Sequence, residues 1–234
     1  MPFIVLGYGL LDDLLILQSH HHCQLLDAEE QLELKRRCFR VACRYAQYVY
    51  TRLLLKSSLS QAMRVSVRSL SIRSASSGQP QLYMSNILND DVSLSVSHDR
   101  NRLFVAAGFR CRCGVDVQSL QGVDWRSVMR VMGWLERIEQ WLDITIANHF
   151  VLGLNLEASS ALAWAAYEAW MKLTSCTHAS REFAWQQITL AEKGSVTHGP
   201  IFEMTLAKHC PSNQARILLL LRPHEVIAVA TIES

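Results

Sequence analysis

The chain has 234 residues, half of them hydrophobic and 19% charged, with a formal net charge of +2. That balance suits a globular protein with room for one large domain or two small lobes. No apolar run reaches the roughly 18 residues of a membrane span, and the seven cysteines include no C-x-x-C pair, so neither a disulfide framework nor a structural zinc site is expected. A cytoplasmic protein with reduced thiols follows.

The opening run Phe3-Ile4-Val5-Leu6 reads as a first strand. A secretory signal would carry basic residues before a longer apolar stretch, and here Asp12-Asp13 end the run early. Residues 27–56 predict one long helix, with Asp27 as N-cap and Glu29 and Glu30 in the first turn. Phe39, Ala42, Ala46, Val49 and Leu53 recur at helical spacing and should face a core, while Arg36, Arg40 and Arg44 should form one stripe on another face. Residues 74–80, rich in Ser and Gly and ending in Pro, read as a loop.

Val92–Ser97 alternates apolar and polar residues, the pattern of a half-buried strand, and 103–108 reads as its hairpin partner. Residues 113–117 are a third strand. Helices follow over 124–148, capped by Asp124, and over 157–173. Strands are expected near 183–190, 200–207, 215–221 and 225–232, the last pair turning at Arg222-Pro223-His224-Glu225. Helix plus strands thus appears twice. The class is α+β, with no strict βαβ alternation and no phosphate-binding glycine fingerprint.

Charge is unevenly spread. From Lys35 to Arg73 there are ten basic residues and no acidic one, while the other 195 residues carry 13 basic and 21 acidic side chains. One segment is suited to meet an anion.

Three short pieces carry candidate chemistry. Ser97-His98 ends the alternating strand, where both side chains can donate to phosphate oxygens. In Gly114-Val115-Asp116-Val117-Gln118, the valines share one strand face and Asp116 and Gln118 the other, so two oxygen-bearing side chains can face one Mg²⁺ ion. In Trp164-Ala-Ala-Tyr167-Glu168-Ala169-Trp-Met-Lys172, Trp164, Glu168 and Lys172 share a helix face. There a carboxylate can bind metal or accept a proton, and a lysine can neutralise phosphate charge.

In this order the three pieces resemble the 4'-phosphopantetheinyl transferase superfamily, in its two-lobed surfactin-synthetase-activator type. Gly78-Gln79-Pro80 matches part of a further family motif, and Arg52-Leu-Leu-Leu-Lys56 resembles the family's N-terminal R-x-L-L-R segment. The resemblance implies two pseudo-symmetric lobes, 1–112 with the basic helix and 113–234 with the catalytic residues. Each would be a small, mostly antiparallel sheet packed with helices, with coenzyme A in the cleft where they meet near 109–118. It implies Mg²⁺ held by Asp116, Gln118 and Glu168, catalysis by Glu168, Lys172 and Asp116, and coenzyme A bound by Ser97, His98, Lys172, Arg44, Arg52, Lys56, Gly78 and Pro80. The acceptor would be a serine of an apo acyl- or peptidyl-carrier protein serving fatty acid, polyketide or nonribosomal peptide synthesis. A monomer is expected, with neither nucleic acid nor membrane as partner. Two positions depart from the family pattern: Tyr167 replaces the lysine before the glutamate, and Gln118 replaces a third acidic ligand. They leave open the alternative of a degenerate, non-catalytic module that binds coenzyme A or a carrier protein.

Overall fold

The computed structural model describes residues 1–37, 40–136, 138, 155–174, 188–196, 199–206 and 215–233. Among these, eleven strands form three antiparallel sheets beside five α-helices, an α+β fold. No helix among the described residues is long and apolar enough to cross a membrane.

The first sheet has the order β1-β6-β5, from β1 (Phe3–Leu10), β6 (Arg102–Phe109) and β5 (Val92–Asp99). A small sheet joins β2 (Leu70–Ser74), β3 (Pro80–Met84) and β4 (Ile87–Leu88), the expected 74–80 loop being the β2–β3 turn. The third has the order β7-β11-β10-β9-β8. It is built from β7 (Cys111–Ser119), β8 (Ile188–Val196), β9 (Gly199–Leu206), β10 (Ala215–Arg222) and β11 (Glu225–Glu233). Residues 183–187 of the first expected C-terminal strand lie outside the described residues, and β8 runs on to Val196.

From Leu103 on, β6 is apolar because both its faces are covered. Phe104 and Ala106 pack with Val115 and Val117 of β7 and Ile227 and Val229 of β11. Val105 and Ala107 turn the other way, onto Leu55 and Leu59 of α3 (Ala42–Met63) and Leu94 of β5. A third core lies where α4 (Trp125–Met132) and α5 (Leu156–Thr174) cover β10 and β11.

The serines of β5 do not face water. Ser95 and Ser97 are 3% and 5% exposed. β7 is an edge strand whose outward N–H groups need acceptors. The hydroxyls of Ser93, Ser95 and Ser97 accept from the N–H groups of Cys113, Val115 and Val117 at 3.0–3.3 Å, and Asp99 accepts from Ser119 N at 2.5 Å. A row of side chains thus ties the first sheet to the third.

The long helix expected over 27–56 is two helices. α2 (Ala28–Arg37) starts on a reciprocal cap: Asp27 accepts from Glu30 N, and Glu30 accepts from Asp27 N. α3 begins afresh at Ala42. The reason is tertiary. Glu30 pairs with Lys56 at 2.9 Å, whereas one continuous helix would hold them about 39 Å apart. The Arg36-Arg40-Arg44 stripe therefore does not exist as one helical face; Ala46 and Val49 are buried as expected and Leu53 partly so, Ala42 is exposed at the first turn of α3, and Phe39 lies outside the described residues.

Asp124 caps α4, accepting from Ser127 N, but α4 stops at Met132 instead of running to 148. Gly133 adopts φ 69°, and Trp134 N bonds back to Met129 O, a left-handed helix stop. Residues 139–148 of that expected helix lie outside the described residues.

Candidate active site

β7 and α5 meet at Gly114. A Cβ there would stand 2.0 Å from the carbonyl oxygen of Ala169 and 2.6 Å from the backbone nitrogen of Leu173. Only glycine lets helix and strand approach so closely. Both contact points directly follow a charged residue, Glu168 and Lys172, so the approach delivers those side chains to Asp116, two residues along β7.

Asp116 is 2% exposed. Its Oδ1 accepts from Lys172 Nζ and from the Ser97 hydroxyl, each at 2.7 Å, and its Oδ2 accepts from Gln118 Nε2 at 2.7 Å. Lys172 also donates to the carbonyl of Val115 at 3.1 Å. Glu168 makes no hydrogen bond or ion pair among the described residues. Burial, and after it the charge of Asp116, push its carboxyl above the ordinary value, with Lys172 opposing. One ammonium thus serves two carboxylates.

His98 neighbours Ser97 but points to the other side of β5. It lines a cavity of ≈ 260 Å³ with Arg37, Arg44, Arg52, Ser74, Gly78 and Pro80 among its walls. Loss of solvation, then the cations Lys172 and Arg44, hold its imidazole below the ordinary value, against the pull of Asp116. His98 therefore lies in the field of both the basic cavity and the Asp116–Lys172 pair.

The cavity wall is organised by α2 and α3. Arg52 is 5% exposed and lies 3.9 Å above the ring of Tyr48. One of its terminal nitrogens donates to Ser74 Oγ at 3.1 Å, while its buried Nε has no acceptor among the described residues. Burial opposes the charge of Glu33, but the Ser74 hydroxyl, Arg52, the Ser74 N–H and Arg37 outweigh it and hold that carboxyl below its ordinary value. Gly78, at φ 86°, makes the β2–β3 turn, with Ala75 N bonded to Gln79 O. The left-handed conformation there favours glycine.

Of the side chains expected to hold coenzyme A, Arg44, Arg52, Gly78, Pro80 and His98 line this one cavity. Two do not. Ser97 is turned inward and held to Asp116. Lys56 is 2% exposed and locked to Glu30, whose other oxygen accepts from Ile72 N at 2.8 Å. Its place in the basic run reflects a buried ion pair, because burial of a lysine demands a partner. Arg37, Tyr48 and Ser74 line the cavity without a motif to mark them; Arg37 had only its place in the basic run as a signal.

Asp116, Gln118 and Glu168 would be the candidate metal ligands; among the described residues no three His, Cys, Asp or Glu side chains are grouped to share a metal ion. Tyr167, where the family pattern has lysine, is 8% exposed and packs edge-on to Trp134 with ring centroids 4.9 Å apart. The position faces the apolar core, so aromatic packing takes the place of a cation there. A scan against protein-family models finds no match for this chain, and a search of curated proteins finds none either.

Proposed function

We propose that this chain transfers the 4'-phosphopantetheine arm of coenzyme A to a serine hydroxyl of an apo acyl- or peptidyl-carrier protein in the cytoplasm. One observation carries the reading: Ser97-His98, Asp116, Glu168 and Lys172, scattered over 76 positions of sequence, converge beside a cavity walled by three arginines. A basic cavity suits the phosphates of coenzyme A, and adjacent carboxylates suit a proton transfer at its edge. The two-lobed arrangement belongs to the same proposal. In its favour, no sheet among the described residues mixes strands from before and after residue 110, although the boundary expected at 112/113 falls inside β7.

In this reading the arginines and His98 hold the phosphates, and Lys172 neutralises charge on the pyrophosphate. The carrier serine oxygen forms its bond to the β-phosphorus as the bond from that phosphorus to the bridging oxygen breaks. 3',5'-ADP leaves with the electron pair, and the serine proton passes to Glu168, whose raised proton affinity suits a base. Positioning and charge neutralisation supply most of the rate. By chemical type the donor set suits Mg²⁺, although Lys172, Ser97 and Gln118 occupy both Asp116 oxygens. Two carboxylates and the Gln118 amide are hard oxygen ligands, and a single lysine leaves their charge uncompensated. Bound there by Asp116, Glu168 and Gln118, the ion would supply further charge neutralisation of the pyrophosphate.

A second reading, a non-catalytic binder of coenzyme A or a carrier protein, is favoured by one feature. Every Asp116 oxygen already has a protein donor. Intact-mass spectrometry of an apo carrier protein incubated with this chain, coenzyme A and Mg²⁺ separates the two. A gain of one phosphopantetheine arm is the expected result. Binding of coenzyme A without any gain would leave the second reading.

A further inference from the structure

Glu33 stands one turn beyond Glu30 on α2, with a fifth of its side chain exposed. Its Oε1 accepts from Arg37 at 2.7 and 2.9 Å, from the Ser74 hydroxyl at 2.5 Å and, more weakly, from Arg52 at 3.5 Å. Its Oε2 accepts from the Ser74 N–H at 3.1 Å. All three donor residues line the cavity. Two guanidinium groups, a hydroxyl and a backbone N–H converging on one anion are the donor set that a phosphate group takes. The set is also larger than Glu33 uses. The buried Nε of Arg52 has no acceptor, and Arg44, on the same wall, has no ion-pair partner among the described residues.

We propose that Glu33 is a resident counter-anion of the cavity, which a terminal phosphate of the ligand displaces from Arg37 and Ser74. This rests on the reading of the cavity as a phosphate site. The carboxylate keeps the arginines paired while the cavity is empty. It also sets a threshold: a doubly charged phosphomonoester gains more from the arginines than a singly charged group does, so only the former outbids a fixed carboxylate. Removal of the Glu33 charge should therefore tighten binding of ligands with a terminal phosphate and leave others unaffected. A residue that merely positioned the arginines would give the opposite sign, because its loss would disorder them.

The test is calorimetry of the parent chain and E33Q with coenzyme A, 3'-dephospho-coenzyme A and inorganic pyrophosphate. E33Q should bind coenzyme A about fivefold more tightly, the scale of a half-exposed ion pair, and dephospho-coenzyme A with unchanged affinity. Equal or weaker binding of coenzyme A by E33Q would overturn the role of Glu33 and leave the cavity's function standing. If neither protein binds coenzyme A, that ligand is wrong and pyrophosphate decides. Tighter binding of pyrophosphate by E33Q upholds the displacement, and equal or absent binding overturns it. Should E33Q fail to refold, E33D replaces it. That variant keeps the charge but shortens the arm, so the same signs are expected with a smaller change.

Discussion

Two lysine–carboxylate pairs, Glu30–Lys56 and Asp116–Lys172, invite comparison. Glu30–Lys56 is sealed, with side chains 0% and 2% exposed. The carboxylate of Glu30 is fully occupied, by Lys56, Asp27 N and Ile72 N. Asp116–Lys172 is open on one side, since Lys172 is 30% exposed and a second carboxylate, Glu168, shares its charge. A sealed, balanced pair holds α2 against α3 and β2 and has nothing left to offer a ligand. An open, unbalanced pair retains electrostatic demand, and perturbed groups beside a cavity are what a reaction site needs. Balance, more than the presence of charge, separates the two roles.

The harshest way to break this comparison is to remove the carboxylate from the sealed pair. Glu30→Ala would leave a buried ammonium and two backbone N–H groups without acceptors, at a cost of about 3–5 kcal/mol. Urea unfolding should show a midpoint shifted down by that amount or a chain that no longer folds. A loss below about 1 kcal/mol would mean that Lys56 finds water or another partner.

The open pair should respond in rate. Glu168→Ala and Asp116→Ala should each lower transfer at least about a hundredfold, near 3 kcal/mol of barrier. Far-ultraviolet circular dichroism should stay unchanged, because Lys172 can turn to solvent. Near-normal turnover at saturating Mg²⁺ would remove these carboxylates from the reaction.

The same imbalance predicts a sign in pH. The proton affinity of Glu168 is raised in the fold above its ordinary 4.5. The stability contributed by its protonated form is therefore present below pH 4.5 and lost as pH rises through the raised value. Glu168→Gln, which cannot ionise, should match the parent in melting temperature at pH 4 and exceed it at pH 8. A variant less stable than the parent at pH 8 would show that the ionised carboxylate is satisfied after all.

The smallest effect concerns the cavity wall, where Arg37 and Arg44 meet solvent. Coenzyme A should bind about tenfold more tightly than its 3'-dephospho form at low salt, and the ratio should fall toward about threefold at 0.5 M salt as ions screen the exposed contacts. A ratio insensitive to salt would place the 3'-phosphate against buried charge instead.

Local periodicity was enough to mark several elements. The β5–β6 hairpin, the turn between β10 and β11, the Asp124 cap and the body of α5 all follow from neighbours within a few residues. The faces that carry Asp116, Glu168 and Lys172 were legible for a similar reason, while the grouping of the three came from the family resemblance. Strand alternation puts Asp116 on the face opposite Val115 and Val117, and helical spacing puts Glu168 and Lys172 on one face. Gly114, the residue that lets the two elements touch, sits inside the same motif.

What depended on distant partners could be settled only by the tertiary structure. The serines of β5 look like a solvent face until the edge of β7 supplies their N–H donors. The basic run looks unopposed only because its counter-charges, Glu30 and Glu33, precede Lys35 and reach α3 and β2 by folding back. Helical propensity would run α2 and α3 together as one helix, but the Glu30–Lys56 pair cannot form unless the two are separate. Sequence spacing determines which side chains share a face. Whether a charged one meets a ligand or a countercharge depends on what packs against that face, and for Glu30 and Glu33 the partners on α3 and β2 lie 19 to 42 residues away.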